Sequence, residues 1–120
     1  MTDISGPDFI TLLVSNLEMS YRFYKEQIGL NESSENRPNA HAFDTKPCGF
    51  AIRQSPGNRK FENPGQGVII WLRTSDAPLL HDKLKRLAVP IIDDLWKSPF
   101  GMAFSFKDPD GYIISVHDGG

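Results

Sequence analysis

The most constraining feature of the sequence is an apolar run followed by an amphipathic helix, an order that occurs twice, sixty residues apart. The first run, FITLLV at 9–14, precedes a stretch whose apolar residues recur at helical spacing. These residues are Leu17, Tyr21, Tyr24 and Ile28. The second run, VIIWLRTSD, precedes APLLHDKLKRL, in which Leu80, Leu84 and Leu87 form the stripe. Such an internal repeat predicts two similar structural modules.

Further strand-like segments follow each helix. In the first half, HAFD and CGFAIRQ flank a turn at Lys46-Pro47, and NESSENRP before them is a strand or a loop. In the second half, VPIID, GMAFSFKD and GYIISVHD are the corresponding strands. A loop rich in Gly, Pro and Asn at 55–67 separates the halves. The pattern predicts an α+β fold of two βαβββ modules.

Local signals mark the helix ends and one turn. Ser15, followed three residues later by Glu18, is typical of a capping box at the start of the first helix. Gly29 lies where a helix C-terminus favours a positive φ. The segment at 108–111, DPDG, has the composition of a tight turn, and we expect it only to close a hairpin.

Composition excludes several classes of function. The chain has 120 residues, which is a common size for one domain, and a formal net charge of −2, which offers no basic surface for nucleic acid. No apolar run approaches the roughly 18 residues of a membrane span, and the start resembles no signal peptide. We therefore expect a cytoplasmic protein without a nucleic-acid or membrane partner. Cys48, the only cysteine, is expected to be a small buried residue.

Several segments make the sequence similar to a known family. They are VSNLEMSYRFYKEQIGL near the start, with its Phe23-Tyr24 pair, PFG before the penultimate strand, and DPDGYIISV at the end. With two βαβββ modules, the chain resembles the vicinal oxygen chelate superfamily of glyoxalase I, bleomycin-resistance and fosfomycin-resistance proteins, and extradiol dioxygenases. The resemblance implies one domain over 1–120 with curled mixed sheets, made of a module at 7–55, a linker at 56–65 and a module at 66–118. It also implies a homodimer, because such sheets leave open edges for a second chain to cover.

The resemblance also locates the positions at which metal-dependent members bind a divalent ion. These are on the first and last strands of each module, and they correspond here to Phe9, Ala51, Ile69 and Ser115. None of the four residues supplies an imidazole or a carboxylate, the donors that such an ion prefers. The expectation is a protein with no metal, no other cofactor and no catalytic residues. The alternative is a metal-dependent lyase, isomerase or dioxygenase whose ligands come from other residues.

Strand alternation predicts which side chains lie on the face of each sheet that the helix does not cover. That face carries Phe9, Thr11 and Arg53 in the first module and Trp71, Arg73, Ser115 and His117 in the second. Trp96, assigned to a loop between strands, is a candidate for stacking on a flat ligand. Aromatic groups beside a few polar or cationic ones are typical of ligand sites. We therefore expect this set of residues to bind a small molecule.

The remaining candidates leave alternatives open. His81 is expected to be a surface or half-buried residue of the second helix, and Asp93 and Asp94 to be solvated in the loop before Trp96. His41 or His117 could act as the general base of a metal-free enzyme, because histidine titrates near neutral pH. The favoured hypothesis is a binding protein that holds an aromatic or amphipathic ligand in a dimer cleft. Antibiotic sequestration is one form of that function.

Overall fold

The computed structural model describes residues 3–34 and 37–119, which divide into two compact units, Met1–Lys60 and Phe61–Gly120. The first unit contains β1 (Phe9–Val14), α1 (Leu17–Arg22), β2 (Ala40–Phe43) and β3 (Gly49–Gln54), and a π-helical segment (Phe23–Ile28) extends α1. The second unit contains β4 (Ile70–Arg73), α2 (Ala77–Arg86), β5 (Ile91–Ser98), β6 (Gly101–Lys107) and β7 (Ile113–His117).

Within each unit, the first strand pairs in parallel with the last. The first sheet has the order β1-β3-β2, and the second has the order β4-β7-β6-β5. The other strand pairs are antiparallel. A parallel pair requires a crossover connection, and each helix lies in that crossover. The prediction of two βαβββ-like modules with mixed sheets is confirmed, while the assignment of 1–120 to one domain stays a prediction.

The segment NESSENRP does not form a full strand. It contributes isolated bridges between Glu32 and Phe43 and between Arg37 and Ala40, and Glu35 and Asn36 lie outside the described residues. Among the described residues, the first sheet therefore has three strands where the second has four.

The apolar core of each unit lies on the helix side of its sheet. In the first unit, the ring of Tyr24 packs against the rings of Phe43 and Phe50, with centroids 6.3 and 5.3 Å away. The second core is built from side chains that are almost completely buried, namely Leu84, Phe104, Phe106, Ile114 and Val116. Burial of this kind stabilises each sheet against its helix by roughly 1.5–3 kcal/mol for each large side chain.

The helix ends differ in part from the sequence-based expectation. Asn16, not Ser15, caps α1, because its side-chain oxygen accepts the N–H of Met19. Asp76, sixty residues later, caps α2 in the same way by accepting the N–H of Leu79. Gly29 has the expected positive φ of 93°. Leu87, expected on the buried stripe, is exposed because α2 ends at Arg86.

The prediction that Trp96 lies on a loop is wrong, as is the same assignment for Asp93 and Asp94. All three belong to β5, which continues to Ser98. Pairing with β6 keeps this segment extended, since Trp96 lies opposite Ala103 and the backbone shifts register twice before it. Register shifts of this kind let a strand accommodate extra polar residues without ending.

The turn at 108–111 forms as predicted. One carboxylate oxygen of Asp108 accepts the backbone N–H groups of Asp110, Gly111 and Tyr112, at 3.0, 2.9 and 2.8 Å. Gly111 has a φ of 103°, a conformation that favours glycine. Within the described part of the chain, no helix combines the length and the apolar character needed to cross a lipid bilayer.

Candidate functional site

The face of the second sheet opposite its helix carries the most distinctive side chains, and we call it the open face. On β7, Ile114 and Val116 are buried on the helix side, whereas Ser115 and His117 alternate with them and are half-buried. In the register of the parallel pair, Trp71 lies opposite Ser115 and Arg73 lies opposite His117. The alternation expected from the sequence therefore brings these four residues together at one end of the sheet.

Three rings on this face form a contiguous cluster, which we call the aromatic trio: Trp71, Phe100 and His117. The ring centroid of Trp71 lies 5.9 Å from that of Phe100 and 5.7 Å from that of His117, and Phe100 and His117 are 5.7 Å apart. Trp71 and Phe100 nevertheless stay 42% and 56% exposed. Phe100 was not among the candidates, although it belongs to the PFG segment that precedes β6.

Gly119 fixes the polar edge of the aromatic trio. Its backbone N–H donates to Nδ1 of His117 at 3.2 Å, and its carbonyl accepts Nε–H of Arg73 at 2.8 Å. An imidazole nitrogen that accepts a hydrogen bond carries no proton, so the neutral ring of His117 holds its proton on Nε2. One backbone residue thus sets both the tautomer of the histidine and the orientation of the guanidinium.

The position of Gly119 depends on the absence of a side chain. A Cβ at this position would overlap the carbonyl oxygen of Phe100. The neighbouring Asp118 ties the same segment down, since its two carboxylate oxygens accept the N–H of Met102 at 2.9 Å and that of Ala77 at 3.0 Å. Gly119 was not among the predicted site residues, because a glycine after the last strand carries no signal of such a close contact.

The other edge of the open face is more polar. Ser105 lies opposite Ser115, and its hydroxyl donates to Oδ2 of Asp93 at 2.9 Å while accepting the N–H of Asp93 at 3.0 Å. Trp96, 48% exposed, lies on β5 beyond β6. Three strand spacings separate Trp96 from Trp71, or about 14 Å. The structure therefore does not bring Trp96 into the aromatic trio.

The candidate residues of the first unit share the corresponding face of their own sheet. Thr11 lies opposite Ala51, and Arg53 is exposed on the same face. The ring of Phe9 covers Gly49, where a Cβ would approach two ring carbons to 2.5 Å. This face is less rich in aromatic side chains than that of the second unit, because the aromatic residues of the first unit lie mainly on its helix side.

The four positions that the sequence resemblance matches to metal ligands do not fit a divalent ion. Phe9, Ala51 and Ile69 offer no donor atom in their side chains, and Ser115 offers only a neutral hydroxyl. Within 3–34 and 37–119, no group of three or more His, Cys, Asp or Glu residues is arranged to hold a metal ion. The side chains at these four positions therefore do not supply the imidazole and carboxylate donors that a divalent ion prefers.

His81 is buried, where a surface or half-buried position was expected. Its ring contacts Phe104 edge to face, with centroids 5.4 Å apart, because the α2 stripe runs through Ala77, His81 and Leu84. Its Nδ1 lies 3.1 Å from Asp82, and its Nε2 lies 2.6 Å from Oδ1 of Asp94, an ion-pair distance without the direction of a hydrogen bond. The backbone N–H of Leu95, and next the imidazole of His81, hold the pKa of Asp94 below its usual value.

His41 lies on the helix side of the first sheet. Its ring stacks on that of Tyr21 with centroids 4.0 Å apart, and its Nδ1 lies 3.2 Å from Oε2 of Glu32. The hydroxyl of Tyr21 donates to the other oxygen of Glu32 at 2.8 Å and accepts from Lys25 at 3.0 Å, and this hydrogen bond raises the pKa of Lys25. His41 and His117 therefore belong to separate clusters.

Comparison with solved structures supports the same architecture. A protein of unknown function from Agrobacterium tumefaciens str. C58 superposes with a TM-score of 0.80 at 20% identity, covering 100% of this chain and 98% of that chain. TnmS3, an antibiotic binding protein from Streptomyces sp. CB03234, gives a TM-score of 0.72 at 22% identity, covering 100% of both chains. Lactoylglutathione lyase from Agrobacterium tumefaciens gives 0.70 at 14% identity, covering 98% and 96%. At these identities the likeness shows the fold alone.

The sequence comparisons give the family. A search of the curated proteins finds no match. The family model described as Glyoxalase/Bleomycin resistance protein/Dioxygenase superfamily matches residues 6–116, which is most of the 120-residue chain. With the two βαβββ-like modules and the resemblance of the sequence motifs, this match shows that the chain belongs to the glyoxalase/bleomycin-resistance/dioxygenase superfamily.

Proposed function

We propose that the protein binds an aromatic small molecule on the open face of its second unit and releases it unchanged. The observation that carries the proposal is the aromatic trio, in which Trp71 and Phe100 are in ring contact and yet stay largely exposed. Exposed apolar groups that are contiguous and bordered by polar ones mark interaction sites more often than isolated exposed residues do.

Stacking explains why the ligand would be aromatic. Offset or edge-to-face contacts between rings contribute roughly 0.5–1.5 kcal/mol beyond the burial of area. A flat ring placed against Trp71 gains this term and also removes exposed apolar surface from water. An aliphatic ligand gains only the burial of area, so the site favours aromatic or amphipathic molecules.

The side chains at the metal-ligand positions favour binding over metal-dependent catalysis. None of Phe9, Ala51, Ile69 and Ser115 is a strong donor, and an aromatic site needs none. TnmS3, which shares the fold, is an antibiotic binding protein, and antibiotic sequestration is one form that the proposed function takes. Ser115 is a polar neighbour of Trp71 in the proposed site, and Trp96 on β5 is a further proposed contact. Phe9, Thr11 and Arg53 stay proposed contacts of a ligand on the corresponding face of the first unit, separate from the aromatic trio.

A thermal-shift screen tests the proposal. The purified protein is mixed with a panel of antibiotics, quinones and aromatic metabolites, with and without EDTA. We expect at least one aromatic compound to raise Tm, to do so equally in EDTA, and to be recovered unchanged by mass spectrometry. Conversion of the compound, or loss of the effect in EDTA, would favour the metal-dependent lyase, isomerase or dioxygenase instead.

We also propose that the protein forms a homodimer. β1 and β2 are the outer strands of the first sheet, and β4 and β5 are those of the second, so each sheet has edges that another strand can approach. Large apolar side chains are exposed at Phe9, Ile69 and Ile92 as well as in the aromatic trio. Sedimentation equilibrium at micromolar concentration is expected to give the mass of two chains, and a monomer would contradict the proposal.

A further inference from the structure

We infer that the ligand of the open face is an aromatic carboxylate, whose anionic group is bound by Arg73 and by Nε2–H of His117. This inference rests on the proposed function and names the chemical class of its ligand. It depends on the way in which Gly119 orients these two side chains next to Trp71.

His117 supplies one hydrogen-bond donor of the inferred site. Because Nδ1 accepts the N–H of Gly119, the ring presents Nε2–H as a hydrogen-bond donor. No described residue accepts a hydrogen bond from this group, and the ring is half-buried within the aromatic trio. A ligand at the trio therefore meets a donor whose tautomer is already set, and an oxygen acceptor satisfies it best.

Arg73 supplies the cationic group of the inferred site. Its Nε–H is held by the carbonyl of Gly119, and the side chain is exposed. The two terminal amino groups of the guanidinium have no acceptor among the described residues. Guanidinium groups bind carboxylates through two parallel hydrogen bonds, which are shorter and stronger than hydrogen bonds between neutral groups. Fixing Nε in advance lowers the entropy that binding would otherwise cost.

Both groups lie near the ring of Trp71 on the open face. Arg73 and His117 are register partners on adjacent strands, which lie about 4.8 Å apart. Trp71 is two residues before Arg73 on the same face, so a planar ligand stacked on its ring has both donors within reach of one substituent directed along the strand. A carboxylate attached directly to the ring has the reach that this geometry requires.

The local charges agree with an anion. The acidic residue next to His117 in sequence, Asp118, has both oxygens occupied by the backbone N–H groups of Met102 and Ala77. Asp93, on β5 at the other side of the open face, accepts from Ser105. Neither of these two carboxylates bonds to Arg73 in the described structure, so neither of them neutralises its guanidinium.

Isothermal titration calorimetry with three matched probes tests the inference. The probes are 2-naphthoate, its neutral analogue 2-naphthamide, and the cation 2-naphthylmethylammonium. We expect 2-naphthoate to bind at least ten times more tightly than 2-naphthamide, and the cation to bind most weakly. The variant Arg73→Gln is expected to abolish this preference, with the affinity for 2-naphthoate falling to about that for 2-naphthamide.

Two further variants separate specific recognition from general attraction. Lys107→Gln removes a positive charge from the same face at its far end, opposite Ile113, and is expected to keep the preference for 2-naphthoate. His117→Phe keeps a ring in the trio but removes the N–H donor, and is expected to weaken 2-naphthoate binding severalfold. Circular dichroism and Tm confirm that each variant is folded.

The outcomes distinguish this inference from the proposed function. Equal affinity of the wild type for 2-naphthoate and 2-naphthamide would overturn the inference and leave the aromatic site standing. Equal loss of preference in Arg73→Gln and Lys107→Gln would also overturn it, because attraction would then be nonspecific. If none of the three probes binds, the aromatic site itself is contradicted, and the proposed function falls with the inference.

Discussion

In both units, one face of the sheet is not covered by the helix, and equivalent positions on these two faces carry different side chains. In the first unit, Thr11 lies opposite Ala51 in the parallel strand pair. At the equivalent place in the second unit, Trp71 lies opposite Ser115. The first unit therefore has two small side chains where the second unit has a large aromatic side chain opposite a serine. The repeated pairing of strands fixes where these side chains lie but does not fix which residues they are.

The helix sides of the two sheets differ much less. Val14 and Ile52 in the first unit and Ile114 and Val116 in the second are all 0–1% exposed. Interiors are close-packed, so an apolar residue of suitable size is required at each of these positions in both copies. We infer that the two faces have different roles: helix-facing residues stabilise the sheets, and open-face residues determine what the second unit binds.

The largest expected effect tests the stabilising role of the helix side. Ile52→Ala in the first unit and Ile114→Ala in the second are each expected to lower the free energy of unfolding by about 2–5 kcal/mol, because each leaves a cavity. Ile113→Ala, at the adjacent position on the open face, is 48% exposed in the wild type and serves as the control. Urea denaturation measures the free energy of unfolding of all three variants. A similar loss for Ile113→Ala would contradict this difference in roles between the two faces.

The next effect tests the binding role of the open face. Trp71→Ala is expected to weaken the binding of 2-naphthoate by about 2 kcal/mol, as the loss of an aromatic anchor usually does. Thr11→Ala, at the equivalent position of the first unit, is expected to change it far less. Calorimetric titration gives both affinities, in buffer with and without EDTA. Affinity that survives Trp71→Ala and collapses in EDTA would support a metal-dependent enzyme.

Much of the fold could be predicted from the sequence, because it depends on patterns that repeat. Period-two alternation on β7 separated Ile114 from Ser115, and the strand and helix pattern identified both modules. The cap of α1 was misassigned because Ser15 and Asn16 are both good capping residues, and the choice between them depends on backbone geometry. Trp96 was placed in a loop because register shifts, which keep β5 extended through polar residues, leave no pattern in one sequence.

The candidate site was predictable in part for the same reason. Trp71, Arg73, Ser115 and His117 follow from alternation on two paired strands. Phe100 and Gly119 contribute through contacts between segments distant in sequence or through close backbone packing, neither of which periodicity reveals. The burial of His81 was also missed, because its polarity suggested a surface position while its helical spacing placed it on the stripe of Leu84.

Each unit has one histidine next to a carboxylate, namely His41 with Glu32 and His81 with Asp94. A smaller effect on stability is expected from the second pair. The pKa of Asp94 is lower in the folded protein than its ordinary value of 3.8. The resulting stability is present above that value and is lost as pH falls through the folded-state pKa. Asp94→Asn is therefore expected to lower the free energy of unfolding at pH 7 by a modest amount, since the carboxylate is exposed.

Denaturant titrations at pH 7 and pH 3 measure this effect. The difference between the wild type and Asp94→Asn is expected to shrink at pH 3, where more of the carboxylate is protonated. Glu62→Gln removes another exposed carboxylate from the same unit and serves as the matched control for the loss of one negative charge. A difference between the wild type and Asp94→Asn that is the same at both pH values would exclude the charge of Asp94 as its cause.

The smallest expected effect concerns Ser115, which the sequence resemblance matches to a metal-ligand position of the metal-dependent members. Its hydroxyl is neutral and lies opposite Trp71, so it adds little to a site that binds through ring contact and through Arg73. Ser115→Ala is expected to change the affinity for 2-naphthoate less than twofold, and EDTA is expected to change neither protein. Removing one ligand of a metal ion largely abolishes metal binding. An aromatic side chain instead contributes through the apolar area that it buries and through its shape. A large loss in Ser115→Ala together with sensitivity to EDTA would therefore mean that the open face of the second unit binds through a metal after all.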